Sequence, residues 1–184
     1  MSFAALSSGG EATGYMAYKA KEDIKWNVDG NPAELTKILI DYDSLKTGWL
    51  KIAAGEAPHA AWADVAGTTV PRPSDDHREA FQLEVYLKTD YGSPVTGWRT
   101  WSSNQASARV GLERIGAELD AGAKDNPGKA AVVEIEGCPE ERLGRHVQPV
   151  PKFKLVGWAD KPASVEAAPE PEPVGGEPED ANVF

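Results

Sequence analysis

"SSNQASARVGLERIGAELDAG", residues 102–122, is where the apolar period of the chain changes. Ala108, Leu112, Ile115 and Leu119 recur at steps of three and four, which lays them along one helical stripe. Ser102 and Gln105 have capping-box spacing, and Gly122 stands where a helix would stop. On both sides of this segment the period is two. In "REAFQLEVYLKTDYG" (78–92), Phe81, Leu83, Val85 and Leu87 alternate with Gln82, Glu84, Tyr86 and Lys88, the pattern of a half-buried strand. Further upstream, "ELTKILIDYD" (34–43) and "TGWLKIAAG" (47–55) read as a hairpin turning over residues 44–48. Residues 56–78 hold three prolines and read as a long irregular connection. Downstream, "AAVVEIEG" (130–137) and "VPKFKLVGWAD" (150–160) add two strands.

The order is therefore three strands, a helix and two strands. That order predicts a mainly β fold, an OB-fold-like five-stranded Greek-key barrel with the helix between strands 3 and 4. An open α+β sheet uses the same elements. Residues 1–33 are broken by Gly9, Gly10, Gly14 and Gly30 and read as an N-terminal extension of the core. The domain itself is expected over 34–161, and 162–184 as a disordered acidic tail that holds five of the 14 prolines, too many for regular structure.

The chain has 29 acidic against 19 basic residues, but the excess is unevenly placed. Beyond Lys161 come Glu166, Glu170, Glu172, Glu177, Glu179 and Asp180 with no Lys or Arg, so residues 1–161 carry only −4 of the −10. A domain so near neutrality is free to gather cations on one face. The single Cys138 excludes an internal disulfide framework and a thiolate metal cluster, and beside Pro139 it reads as a small packed residue. "MSFAALSSGG" lacks a basic n-region, and no stretch approaches a membrane span, so the expected setting is the cytoplasm.

Alternation then assigns faces. "GWLKIAA" sends Leu50 and Ile52 inward and Trp49 and Lys51 outward, with Lys46 just before them. "PKFKLVGWAD" sends Phe153 and Leu155 inward and leaves Lys152, Lys154 and Trp158 on the other side. "GWRTWSS" (97–103) adds Trp98, Arg99 and Trp101. Indole beside cation on a face that is not core suits single-stranded nucleic acid, whose bases stack on rings while its phosphates meet the charges. Core packing is the competing reading of any one tryptophan, and Trp26 and Trp62 are read that way.

"EPEDANVF" (177–184) closes the chain with acids and a terminal ring. An acidic segment ending in Phe184 suits a pocket that holds the ring and is rimmed by cations engaging Asp180 and the α-carboxylate. This tail, with the strand order and the Trp/Lys pattern, resembles the single-stranded DNA-binding proteins of bacteria and, more closely, of their phages. Ala181, Asn182 and Val183 stand where the bacterial proteins have a tighter acidic cluster with a proline before the final Phe. The resemblance implies a protein that coats and protects single strands in replication, recombination and repair. It also implies recruitment of partner enzymes through Glu179, Asp180 and Phe184, a monomer or homodimer, and a bacterial host cell if phage-encoded. It implies no catalysis and no cofactor.

Two alternatives compete. Asp75, Asp76 and His77, with Asp41 and Asp43, are a possible Mg²⁺ or Mn²⁺ set for a nuclease, although turn-forming Asp, Ser and Pro in a solvated loop give the same pattern. His59, His77 and His146 are too scattered for zinc spacing. A phage or plasmid assembly protein with a solubilising tail is the other alternative.

Overall fold

The computed structural model describes residues 13–65 and 67–163. Its organising element is β4 (Lys37–Lys51), one strand of 15 residues. The hairpin expected here does not form: β4 runs through the supposed turn and pairs with β6 (Arg78–Leu87) on both sides of it. Asp41 opposes Glu84 and Lys46 opposes Gln82, so residues 42–45 bulge out opposite Leu83 alone. The bulge satisfies its own polar groups. Ser44 Oγ donates to the Asp41 carbonyl (2.6 Å) and accepts from the Glu84 amide (2.7 Å), while the Asp43 amide donates to Asp41 Oδ1 (3.2 Å). Aspartate and serine, which favour turns, also serve a bulge that bends a strand without reversing it.

Around β4 the sheet curls into a half-barrel. β5 (His59–Trp62), inside the segment expected to be irregular, pairs with the second half of β4. β7 is Gly97–Ser103, α1 Ala106–Glu113, α2 Gly116–Asp125, β8 Lys129–Ile135 and β11 Phe153–Asp160. Between β8 and β11 stands a separate ribbon of β9 (Glu140–Leu143) and β10 (His146–Pro149). Residues 15–33 join the sheet: β1 (Tyr15–Tyr18), β2 (Trp26–Val28) and β3 (Asn31–Ala33) extend it, with β1 parallel to β7. Strand order is β11-β8-β4-β6-β7-β1-β2-β3, with β5 branching from β4. Among the described residues β7 and β11 form no ladder, so the sheet is curled but not closed by that pair. The β2–β3 turn is Asp29–Gly30, with φ of 52° and 88°, a two-residue hairpin that needs left-handed backbone at both positions.

The helical stripe lies where the period placed it. Ala108, Leu112, Ile115 and Leu119 are all buried against the inner face of the sheet, in one cluster with Ile38, Ile40, Phe81, Leu83 and Val85. The single helix of the sequence reading is two, divided at Arg114–Ile115. Ser102 belongs to β7, the cap is Gln105, whose amide donates to Ser103 Oγ (3.1 Å), and Gly122 lies inside α2. A smaller cluster covers part of the outer face: Leu39, Tyr86, Trp98 and Ala130.

Candidate nucleic-acid interface

The three tryptophan–cation groups do not build one groove. In β11 the reason is a single residue. Leu155 opposes Val133 and Gly157 opposes Val132, so Val156 is bulged out and the alternation changes phase. Trp158 then opposes Ala131, on the inner side with Phe153 and Leu155, and away from Lys152 and Lys154. It packs against α2, where a Cβ added to Gly122 would stand 2.5 Å from its ring. The expected pairing of Trp158 with the two lysines is corrected accordingly.

β7 departs from expectation for a different reason: Trp98, Arg99 and Trp101 are all buried. Trp101 is 0% exposed and sits edge-on to Phe81 and Trp26, at 4.9 and 5.4 Å between ring centroids. It is core and cannot stack on a base. Trp98 is buried beside Tyr86, and its Nε1 donates to the Pro162 carbonyl (3.0 Å), so the segment that follows β11 reaches β7. Arg99 is buried as well. Its guanidinium binds Asp29 (3.0 Å), Thr13 Oγ1 (2.9 Å) and the Trp98 carbonyl (2.7 Å), which leaves no free cation for a phosphate.

Of the β4 residues, Trp49 is half-buried. Its Nε1 donates to the Val70 carbonyl (2.9 Å), and the Arg72 guanidinium lies 5.4 Å from its ring centroid. Lys51 is 3.3 Å from Glu56, and Lys152 is 3.6 Å from Glu136. Lys46 lies on the outer face opposite Gln82, and Lys154 opposite Glu134. Lys46 and Lys154 therefore reach the outer face, whereas Trp49, which opposes Glu79, shares the inner phase of Phe81. Glu179, Asp180 and Phe184 lie outside the described residues, as does most of the expected tail.

Residues that the sequence did not mark for binding form a groove on the outer face. Tyr15 and Lys19, Leu50 and Ile52, and Thr100, Ser102, Asn104 and Gln105 line a depression of about 240 Å³ across β1, β7 and the end of β4. Ile52 is 51% exposed, an apolar side chain facing solvent where the hairpin reading had put it inward. Arg78 opposes Leu50 and so shares this face. The signal was present in the strand period of 15–18 but is short, four residues between glycine and a polar loop.

The residues of the nuclease alternative fall into two places. Asp41 and Asp43 meet Lys161 at 2.8 and 3.4 Å; burial pulls the Lys161 pKa down, and the two carboxylates outweigh it, so the net shift is upward. Seven residues along β6 separate Glu84, the partner of Asp41, from His77, roughly 23 Å at strand rise. His77 is bound at both ring nitrogens, to Ser74 Oγ and to His59 Nδ1, each 2.7 Å away. Burial first, and His59 next, lower its pKa below the ordinary histidine value. Among the described residues no group of three His, Cys, Asp or Glu stands close enough to hold a metal ion. Cys138 is half-buried against the core, and burial pushes its thiol pKa up, so it is not poised as a thiolate. No helix among the described residues is long and apolar enough to cross a membrane.

No family model, curated protein or solved structure matches the chain.

Proposed function

We propose that this protein binds single-stranded nucleic acid on its outer face, in the groove bordered by Tyr15, Leu50, Ile52 and Ser102, rather than on exposed tryptophans. The observation that carries the reading is the order β11-β8-β4-β6-β7, with both helices between β7 and β8 and a long bent β4 pairing on two sides. On this reading the order corresponds to an OB-fold opened at its closing pair. OB-folds bind oligonucleotides on the face of their second and third strands and with the loops after the first and fourth. Here those strands are β6 and β7. The loops are 52–77 and 136–152, the second bearing the β9–β10 ribbon with Arg142, Arg145 and His146 near its tip.

Two tyrosines line the groove, and of these Tyr18 is buried in the core, which leaves Tyr15 as the ring a base could reach. Binding on this reading is dominated by cations, Lys19, Lys46 and Arg78 among them, and falls steeply as salt rises. The Phe-terminated acidic tail supports the same reading through its likeness to the phage single-stranded DNA-binding proteins. Its role is to recruit replication and recombination enzymes while the domain protects the strand.

A titration with oligo-dT at low and moderate salt, read by anisotropy of a labelled strand, tests this. Saturable binding that weakens with salt, and weakens further in Lys46→Glu/Arg78→Glu, is the expected result. No binding at low salt refutes the proposal. Degradation of the strand on adding Mg²⁺ returns the nuclease alternative.

A further inference from the structure

A second opening lies on the other side of the sheet. Between the inner face, the loop 63–72 and the start of α2 is a half-open cavity of about 350 Å³, within the size range of small-ligand sites. Trp49, Phe81, Val70, Leu112 and Leu119 give it an apolar interior. Its wall is held in place: the Trp49 Nε1–Val70 bond and the Arg72 guanidinium over the indole pin the loop to β4. Tyr42 lines it too, and burial, followed by Asp120, raises its phenol pKa, so it stays a neutral hydrogen-bonding group.

Two features of the rim point to the occupant. Arg109 bridges Glu79 (2.8 Å) and Glu113 (3.4 Å), and both carboxylates are mostly exposed, so beside α1 two acids share one guanidinium, while the Arg72 cation stands over the indole on the loop. Gly116, the first residue of α2, also lines the cavity. A Cβ there would meet nothing within 4 Å, so neither crowding nor a left-handed turn calls for glycine. What its missing side chain does is leave the cavity open.

We propose that this cavity is a binding site for a small aromatic cation of the arylalkylamine class. The ring enters between Trp49, Phe81, Leu112 and Leu119, and the ammonium meets the free carboxylate oxygens of Glu79 and Glu113. A ring buried among apolar side chains supplies the attraction, and the unbalanced acid selects cation over anion. The site lies on the inner face, so it is independent of the outer groove and of the nucleic-acid reading.

Isothermal titration of the full chain with 2-phenylethylamine, and with phenylacetate as the anionic isostere, tests the assignment. The amine binds saturably, and phenylacetate binds about tenfold more weakly or not at all, as expected for reversed charge beside one unbalanced carboxylate. Glu113→Gln, a change at an exposed position, weakens the amine by about threefold, the scale of a surface ion pair. Gly116→Phe fills the cavity and abolishes the heat while circular dichroism stays that of the parent. Absence of saturable binding, equal affinity for amine and acid, or competition by oligo-dT each overturns the proposal. The charge preference and Glu113→Gln decide the matter even if Gly116→Phe does not fold.

Discussion

Trp101 separates a core ring from a stacking ring, and Trp101→Phe makes the separation measurable. The indole is 0% exposed, and its Nε1 has no hydrogen-bond partner. Phenylalanine keeps the edge contacts with Phe81 and Trp26 but leaves roughly 40 Å³ empty, which at about 24 cal/mol per Å³ costs about 1 kcal/mol. Lost transfer energy adds a similar amount. Against this, removing a buried donor that bonds to nothing returns about 1–3 kcal/mol. The two sides nearly cancel, and the net change is expected within about 1 kcal/mol of zero. Trp101→Ala removes the same donor but empties far more volume and both edge contacts, and it costs about 3–5 kcal/mol. Urea denaturation gives the stabilities, and oligo-dT titration of the folded Phe variant gives the affinity. By alanine substitution a stacking ring is worth about 1–3 kcal/mol per base, or roughly 5- to 150-fold, and phenylalanine, itself a ring, forfeits only part of this. A Trp101→Phe protein of parental stability that binds oligo-dT more than about fivefold more weakly refutes the placement of this ring in the core.

Gly122→Ala reverses the usual sign of a helix substitution: alanine ordinarily gains about 1 kcal/mol over glycine, but here the new methyl meets the Trp158 ring at 2.5–2.7 Å, and a net loss of about 1–2 kcal/mol is expected by thermal denaturation. Asp29→Asn keeps a residue that tolerates the left-handed turn but leaves the Arg99 guanidinium, with 8% of its side chain exposed, without its carboxylate. Because Asp29 itself is one-third exposed, the loss is expected at about 2 kcal/mol, below that of a fully buried pair, and equal urea midpoints for the two proteins would oppose it. The His59–His77 pair predicts acid sensitivity. The folded pKa of His77 is lowered by burial and by His59, Lys51 and Arg72 against Asp76. The unfolded chain therefore takes up the proton first, and stability falls as pH drops through the ordinary histidine range until the lowered folded pKa is passed. Denaturation midpoints compared near neutrality and about two pH units lower show a smaller drop in His77→Gln.

The periodic parts of the fold were legible because burial on one face writes itself into a strand or helix. Phe81, Leu83, Val85 and Leu87, and the stripe from Ala108 to Leu119, read correctly for that reason. What escaped was irregular. A bulge is one or a few extra residues, and nothing in "DYDSLK" or "KLVGW" marks them as bulged rather than turned or paired. In β11 the consequence was large, since one uncounted residue put Trp158 on the wrong face. β7 escaped because its two tryptophans lie three residues apart and so on opposite faces, and both are buried, Trp98 under the outer cluster and Trp101 in the core. The β2–β3 hairpin also escaped, since Gly30 was read only as a break, although Asp29–Gly30 is the dipeptide that a left-handed two-residue turn favours. The candidate site was the least legible part, because a lysine's freedom depends on which acid stands beside it. Glu56 beside Lys51 and Glu136 beside Lys152 are facts of tertiary structure.

Val156 has a further effect at the border of the sheet. β11 is the last strand on its side, and no neighbour shields its outward amides and carbonyls among the described residues. A straight ribbon there would be a template on which copies of the chain could add end to end into fibres. The extra residue kinks that rail, and the charged Lys154 and Asp160 flank the kink. Excising Val156 would straighten it, and light scattering at high concentration would then rise above that of the parent.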